Sequence, residues 1–486
     1  MALLSTTPQD VYIVVPGIMG STLYVHGKPV WAPKLGQAAD ALRSLGANLK
    51  PLTLAVDSPD ADDLGDGVTA EELFPDIHLI PGLEKIDGYT ALRNAIKKHF
   101  NVIPNQNYFE LPYDWRRDNR YPARKLKQLA DQSLAKWRKQ SGSDKPRLVL
   151  LCHSMGGLIA RYFLEVLGGW RDTKALITFG TPYRGSVKAL NFVSNGCSAG
   201  SISLPAVSEL LRSFTAVYQL LPIYPCCFGA TGPAVELTSY SGDIAYLDKA
   251  RAQAALTFHD EIRDAAARNA QDPEYSANRY EFYPIVGIGE PTLTTAEIKY
   301  GTLKAFEADG DEGGDGTVSR ESASPPKGEP ESSARYLHEF HGSLQNSPYS
   351  WWQLAGILKP PYRSPFEKKY YVWTEEQIRE KALKDPAPTD VEVGLRVNDA
   401  YAANQSIELQ VRRTEGLEAE LRVIVETDDA KQSSSQSITA ANAGEWYPVK
   451  LGAIPSGSYR VRVLARPQPT GFPSLGGMIS DVFLVM

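Results

Sequence analysis

Arg147-Leu-Val-Leu-Leu-Cys-His-Ser-Met-Gly-Gly-Leu158 is the stretch whose reading decides the fold. Leu148 to Cys152 is an unbroken apolar run, short enough for a strand buried on both faces. Beyond it Leu158, Ile159, Tyr162, Phe163 and Val166 recur at helical spacing. Between strand and helix stand His153, Ser154, Met155, Gly156 and Gly157. A strand that turns straight into a helix lifts its corner residue clear of the sheet. The first helical N–H groups, which have no partner within the helix, then point at whatever lies beside that corner. Only small neighbours fit there. Gly156 meets the demand, whereas Cys152 brings a Cβ and a sulfur into the same crowded place. Ser154 is the candidate nucleophile.

This strand, serine turn and helix resemble the nucleophile elbow of α/β-hydrolases. Upstream, Val11 to Val15 reads as another buried strand, running into Pro16-Gly-Ile-Met-Gly-Ser21. In α/β-hydrolases one oxyanion-hole N–H follows the nucleophile and the second comes from a turn after an early strand. The backbone N–H groups of Met155 and Ile18 are therefore the candidates. Residues 89–99 and 121–139 read as helices, the second amphipathic through Leu126, Leu129, Leu134 and Trp137. Asn107 to Leu111, Lys174 to Phe179 and Tyr280 to Ile288 read as further strands. Strand alternating with helix implies a parallel sheet with right-handed crossovers.

The fold places its acid and then its histidine after the serine in chain order. Asp309, Asp311 and Asp315 all stand in Glu307-Ala-Asp-Gly-Asp-Glu-Gly-Gly-Asp-Gly-Thr-Val318, and His338 and His341 follow. His153 points the other way along its strand and reads as structural. An Asp-Gly-Asp loop is a weak cation signal, and no metal or cofactor is expected.

Five segments occur in one order: Val15-Pro-Gly-Ile-Met-Gly-Ser-Thr-Leu23, Pro112-Tyr-Asp-Trp-Arg116, His153-Ser-Met-Gly-Gly157, Phe179-Gly-Thr-Pro182 and Gly314-Asp-Gly-Thr-Val318. As a set they resemble the lecithin:cholesterol acyltransferase family, which includes lysosomal phospholipase A2-type enzymes and phospholipid:diacylglycerol acyltransferases. The likeness covers roughly residues 10–360. It implies a serine esterase or acyltransferase acting on lipid esters. It also implies Asp315 as the acid and His341 as the base, and Cys152 stands where the usual pattern has glycine.

Residues 187–275 read as an insertion between sheet strands, apolar through Leu204 to Gly229 and helical over 246–268. An apolar insertion at the active-site end suits a cap that holds an acyl chain and meets a lipid surface. Tyr183, Leu220 and Leu221 are the candidate substrate contacts. The acidic run Asp57 to Asp66 misses the calcium-loop spacing and reads as a solvated loop.

After Trp351, Trp352, Leu354, Ile357 and Leu358, read as a closing helix, a Pro-rich connector leads to Asp385-Pro-Ala-Pro388. Six period-two segments follow between Val391 and Met486, the pattern of an immunoglobulin-like β-sandwich. The expected architecture is thus an α/β-hydrolase domain over 1–384, with its cap, and a sandwich over 385–486 that carries no catalytic signature.

Composition agrees with an ordinary globular protein: 486 residues, 43% hydrophobic, 22% charged and a net charge of -6. A dispersed acidic excess argues against a nucleic-acid partner. No apolar stretch approaches the roughly 18 residues of a membrane span. Met1 to Asp10 lacks a positive n-region and an apolar core, so a cytoplasmic chain is the expectation. Cys226 and Cys227 are adjacent and do not imply a framework, though a Cys197 bridge to either is open. Two other functions stand beside the lipid reading: a soluble carboxylesterase for short esters, and a catalytically silent lipid-binding protein.

Overall fold

The computed structural model describes residues 10–32, 47–75, 78–79, 85–86, 88–100, 102–199, 202–229, 232–308, 313–325, 332–358, 393–398, 400–402, 405–413, 419–427, 433–440, 442, 445–467 and 478–485. Asp309, Asp311, the connector and the expected boundary near residue 385 lie outside them. The chain divides into two compact units, Met1–Ser350 and Trp351–Met486.

The first unit is built on six strands: β1 (Val11–Val15), β2 (Tyr108–Glu110), β3 (Leu148–His153), β4 (Thr173–Phe179), β5 (Glu281–Gly287) and β6 (Arg335–Leu337). They pair in the order β6-β5-β4-β3-β1-β2, every pair parallel. β3 sits between β1 and β4, and Val149, Leu150 and Leu151 are fully buried. Covering both faces explains why these strands read as unbroken apolar runs rather than alternating ones. Each such side chain contributes about 1.5–3 kcal/mol by leaving water.

Helices supply the cover. α1 (Thr90–Phe100) and α2 (Arg120–Ser141) precede the elbow, and α3 (Met155–Glu165) follows it, buried along its whole length. α2 buries one stripe (Ala123, Leu126, Ala130, Leu134, Trp137) and ends where Gly142 turns left-handed, φ 64°. Between β4 and β5 the insertion folds as α4 (Val187–Asn195), α5 (Pro205–Ser213) and α6 (Lys249–Asn269).

The acidic run is a solvent-facing loop at Asp60, Asp62 and Asp63, as its charge suggests, but Asp57 and Asp66 bind buried arginines. Arg116, fully buried, binds Asp114 through two nitrogens at 2.8 and 2.6 Å, Asp66 at 2.8 Å and the Leu52 carbonyl at 3.1 Å. Arg117 reaches Asp57 and donates to the carbonyls of Ser58 and Ala61. The carboxylates are the counter-ions that let two guanidiniums be buried at the start of α2. No disulfide forms: all four cysteines are free and buried, with the Cys226 and Cys227 sulfurs 3.7 Å apart.

The second unit holds two sheets. One is β7 (Val393–Arg396), β9 (Ile407–Arg413) and β12 (Trp446–Gly452). The other is β8 (Ala400–Tyr401), β14 (Met478–Val485), β13 (Gly457–Pro467), β10 (Ala419–Thr427) and β11 (Ser433–Ala440), in that order. All pairs but β8–β14 are antiparallel. Alternate residues, among them Leu409, Val411, Val423, Val461, Val463 and Phe483, form its core. The expected α/β-hydrolase sheet with its inserted helices, and mainly antiparallel β-sheets in the C-terminal region, are what the chain builds.

Candidate active site

The carboxyl ends of β1, β3 and β4 and the loops after β5 and β6 converge on Ser154. Its backbone takes φ 50° and ψ −124°, a conformation a side chain rarely adopts and the mark of a strained corner. What holds it is close packing. A Cβ at Gly156 would fall 2.5 Å from the Val15 carbonyl oxygen and 2.6 Å from that of Pro16. Thr181 Oγ1 donates to the Ser154 carbonyl at 2.9 Å, and the Ser154 N–H donates to the Phe179 carbonyl at 2.8 Å. Cys152, one residue before His153, is fully buried, and burial pushes its thiol pKa well up, so it is no competing nucleophile.

Ser154 Oγ lies 2.9 Å from His341 Nε2, and His341 Nδ1 lies 2.8 Å from Asp315 Oδ2. A carboxylate only accepts, so Nδ1 carries the proton and Nε2 is left to accept from the serine. Asp315 is fixed in turn: its Oδ1 accepts the N–H groups of Thr317 and Val318 at 3.0 and 2.7 Å, and its carbonyl accepts the His341 N–H at 2.9 Å. All three side chains are buried. Asp315 does not follow β5 directly. A hairpin excursion, Thr295–Lys299 against Thr302–Phe306, belongs to another sheet and returns the chain to Glu290, beside Asp315. His338 is turned elsewhere, 3.9 Å from Glu290.

Ile18 and Ser154 both line an apolar cleft. Neither the Ile18 nor the Met155 N–H has a hydrogen-bond partner among the described residues. The turn that presents Ile18 is itself strained: Met19 has φ 63°, and its carbonyl is held by Trp31 Nε1 at 2.9 Å. The rest of the cleft comes from Met19, Pro182, Ser186, Lys188, Ala189, Phe192, Leu211, Val217, Leu220, Thr317 and Val318. Lys188 holds its ammonium against Thr317 Oγ1 at 2.9 Å.

Of the three proposed substrate contacts, only Leu220 lines the cleft. Tyr183 turns inward because its hydroxyl bonds Thr178 Oγ1 at 2.5 Å and its ring meets Phe282 edge-on. Leu221 is buried beside the turn at Gly185. The lining residues Phe192 and Leu211 were missed. α4 is apolar on two faces, so periodicity alone does not say that Val187, Leu190 and Val193 enter the core while Ala189 and Phe192 face the cleft.

Residues 82–284 match the family described as Lecithin:cholesterol acyltransferase. Over that stretch the chain is similar to this family. No curated protein sequence matches the chain. Among solved structures, the chain is similar to the lipase BlEst2 of Bacillus licheniformis in its mature form, with 13% identity over 73% of this chain and 93% of that one (TM-score 0.30). It is also similar to phospholipase PlaB from Legionella pneumophila, with 10% identity over 97% and 90% (TM-score 0.33). A third is the peroxisomal alpha-beta-hydrolase Lpx1 from Saccharomyces cerevisiae, with 10% identity over 79% and 89% (TM-score 0.24). At such scores these three add no weight to the family match.

Proposed function

We propose that the protein is a serine-dependent lipid esterase or acyltransferase working through Ser154, His341 and Asp315. The observation that carries the reading is the hydrogen-bonded run from Ser154 through His341 to Asp315, opening on an apolar cleft. The family match supports ester chemistry on lipids.

His341 Nε2 takes the Ser154 proton as Oγ attacks the ester carbonyl, and Asp315 stabilises the resulting imidazolium. The Ile18 and Met155 N–H groups, the latter at the positive end of α3, receive the oxyanion. His341 then protonates the departing alcohol, leaving the acyl group on Ser154. Water or a second alcohol accepts it by the same steps in reverse. The cleft lining, Phe192, Leu211, Val217 and Leu220, would take the acyl chain. We assign catalysis to residues 1–384, with the cap at 187–275, and a binding or stabilising role to the β-sandwich at 385–486.

The test is a fluorophosphonate label on the wild type and on Ser154→Ala, followed by a lipid-ester panel with and without an acceptor alcohol, products identified by mass. Labelling that survives the substitution removes Ser154 from the mechanism. A rate that falls with acyl length, with no acyl-alcohol product, leaves only a short-chain carboxylesterase.

A further inference from the structure

Behind the elbow lies a second chain of hydrogen bonds that the acyl-transfer steps do not use. The Gly17 N–H donates to Tyr89 Oη at 2.8 Å, Tyr89 Oη lies 2.9 Å from His153 Nδ1, and His153 Nε2 lies 3.0 Å from the His341 carbonyl oxygen. The carbonyl can only accept, so Nε2 carries the proton. In the neutral ring Nδ1 then accepts from the Tyr89 hydroxyl, whose oxygen is left to accept from Gly17. One directional chain thus joins four segments far apart in sequence. Tyr89 and His153 are each 1% exposed, and the His153 and His341 rings stand 5.1 Å apart.

Each end of this chain touches the machinery. Gly17 is followed by Ile18, so fixing the Gly17 N–H fixes the turn that aims the Ile18 N–H into the cleft. The far end fixes the main chain of His341. Its middle member, His153, directly precedes Ser154. Gly17 is packed against the same unit: a Cβ there would fall 2.9 Å from Ser154 Cβ and 3.1 Å from His153 Nδ1.

We propose that Tyr89 and His153 are positioning residues acting as one unit, which locks the oxyanion-hole turn to the loop bearing His341. The inference rests on the Ser154–His341–Asp315 reading. It differs from mere satisfaction of buried polar groups in what it predicts. A structural role moves stability, whereas misalignment of donor and base is felt in the transition state and lowers kcat with little change in KM.

The experiment measures kcat and KM for a p-nitrophenyl ester, with urea midpoints, in the wild type, Tyr89→Phe, His153→Leu, His153→Gln and the Tyr89→Phe/His153→Leu double variant. Tyr89→Phe and His153→Leu should each lose about tenfold in kcat with KM within about twofold. That loss is smaller than removing an oxyanion donor outright, since the donor is loosened rather than deleted. Breaking either link severs the same chain, so the double variant should fall no further than the worse single one. His153→Gln keeps an N–H able to reach the His341 carbonyl and should recover most of what His153→Leu loses. Single-variant losses that multiply, kcat values unchanged within about twofold, or equal rates in His153→Gln and His153→Leu would each overturn the proposal. Should Tyr89→Phe not fold, the Gln and Leu pair decides alone. A wild type that fluorophosphonate fails to label would instead sink the serine reading itself, which separates the two failures.

Discussion

The two ends of α3 carry buried polar clusters of opposite character. At the N-terminal end Ser154 borders a cleft, and the neighbouring Met155 N–H has no partner among the described residues, which leaves capacity for a substrate. At the C-terminal end Glu165 accepts from Arg161 at 2.8 Å, Tyr275 at 2.9 Å, Tyr280 at 2.6 Å and Asn269 at 2.8 Å, so its carboxylate is fully engaged. A carboxylate at a helix C-terminus is disfavoured by the macrodipole, and these four donors offset that cost. Burial first, then the Glu165 charge, pushes the Tyr275 phenol pKa up. Both clusters are buried and both contain an acid. What separates them is unspent bonding capacity facing open space, the property that turns a polar cluster into a site.

Ser154→Ala probes the open end most severely. It should cost about 10⁴-fold or more in ester turnover while leaving the urea midpoint unchanged. Glu165→Gln probes the closed end with the reverse signature. Arg161 loses its counter-charge, and stability should fall by about 3–5 kcal/mol with kcat per folded molecule intact. A Glu165→Gln variant that keeps its midpoint but loses turnover would erase the contrast between the two ends.

The open end was the more legible in the sequence. Its chemistry demands a short apolar strand, small residues at the corner and a fixed chain order, all of which show as local patterns. Glu165 and Tyr280 are instead partners across 115 residues, and nothing local marks them. The same limit hid the clamp on Asp57 and Asp66, whose acidic residues look like solvent-facing charge until Arg116 and Arg117 are folded beside them. β11, Ser433-Ser-Ser-Gln-Ser-Ile-Thr-Ala440, escaped because an exposed edge strand needs no apolar alternation. Tyr183 was misplaced because an aromatic after a strand end fits either a core or a pocket.

Between the two ends, Tyr162 of α3 stacks on Phe258 of α6 and bonds Glu261, so the cap helix rests on the middle of α3. His259 beside them is buried, its Nε2 donating to the Gln219 carbonyl at 2.8 Å. Burial lowers its pKa from 6.5 to about 4. The unfolded chain therefore binds a proton as pH drops through 6.5 while the folded chain does not until near 4. The stabilising contribution is complete above about pH 6.5 and is lost on the way down to about pH 4, on the order of 3 kcal/mol. His259→Gln should flatten the urea midpoint between pH 7 and pH 4.5. A slope equal to the wild type's would put the acid sensitivity elsewhere than the cap.

Asp66 gives the smallest expected effect and separates cap from clamp. Burial alone would raise its carboxyl pKa, but the hydrogen bond and charge of Arg116, the Val68 N–H and Arg117 outweigh burial, and the net direction is down. A depressed carboxyl stabilises the folded chain above its unfolded pKa of about 4, and the contribution is lost only as pH falls below that. With its side chain 33% exposed, screening by water keeps the effect to about 1 kcal/mol or less. Asp66→Asn should therefore leave the slope between pH 7 and pH 4.5 untouched and reduce the acid loss only below about pH 4. Urea midpoints across both windows make the distinction. A change in the upper window would mean that the clamp and the cap helix titrate as one structure.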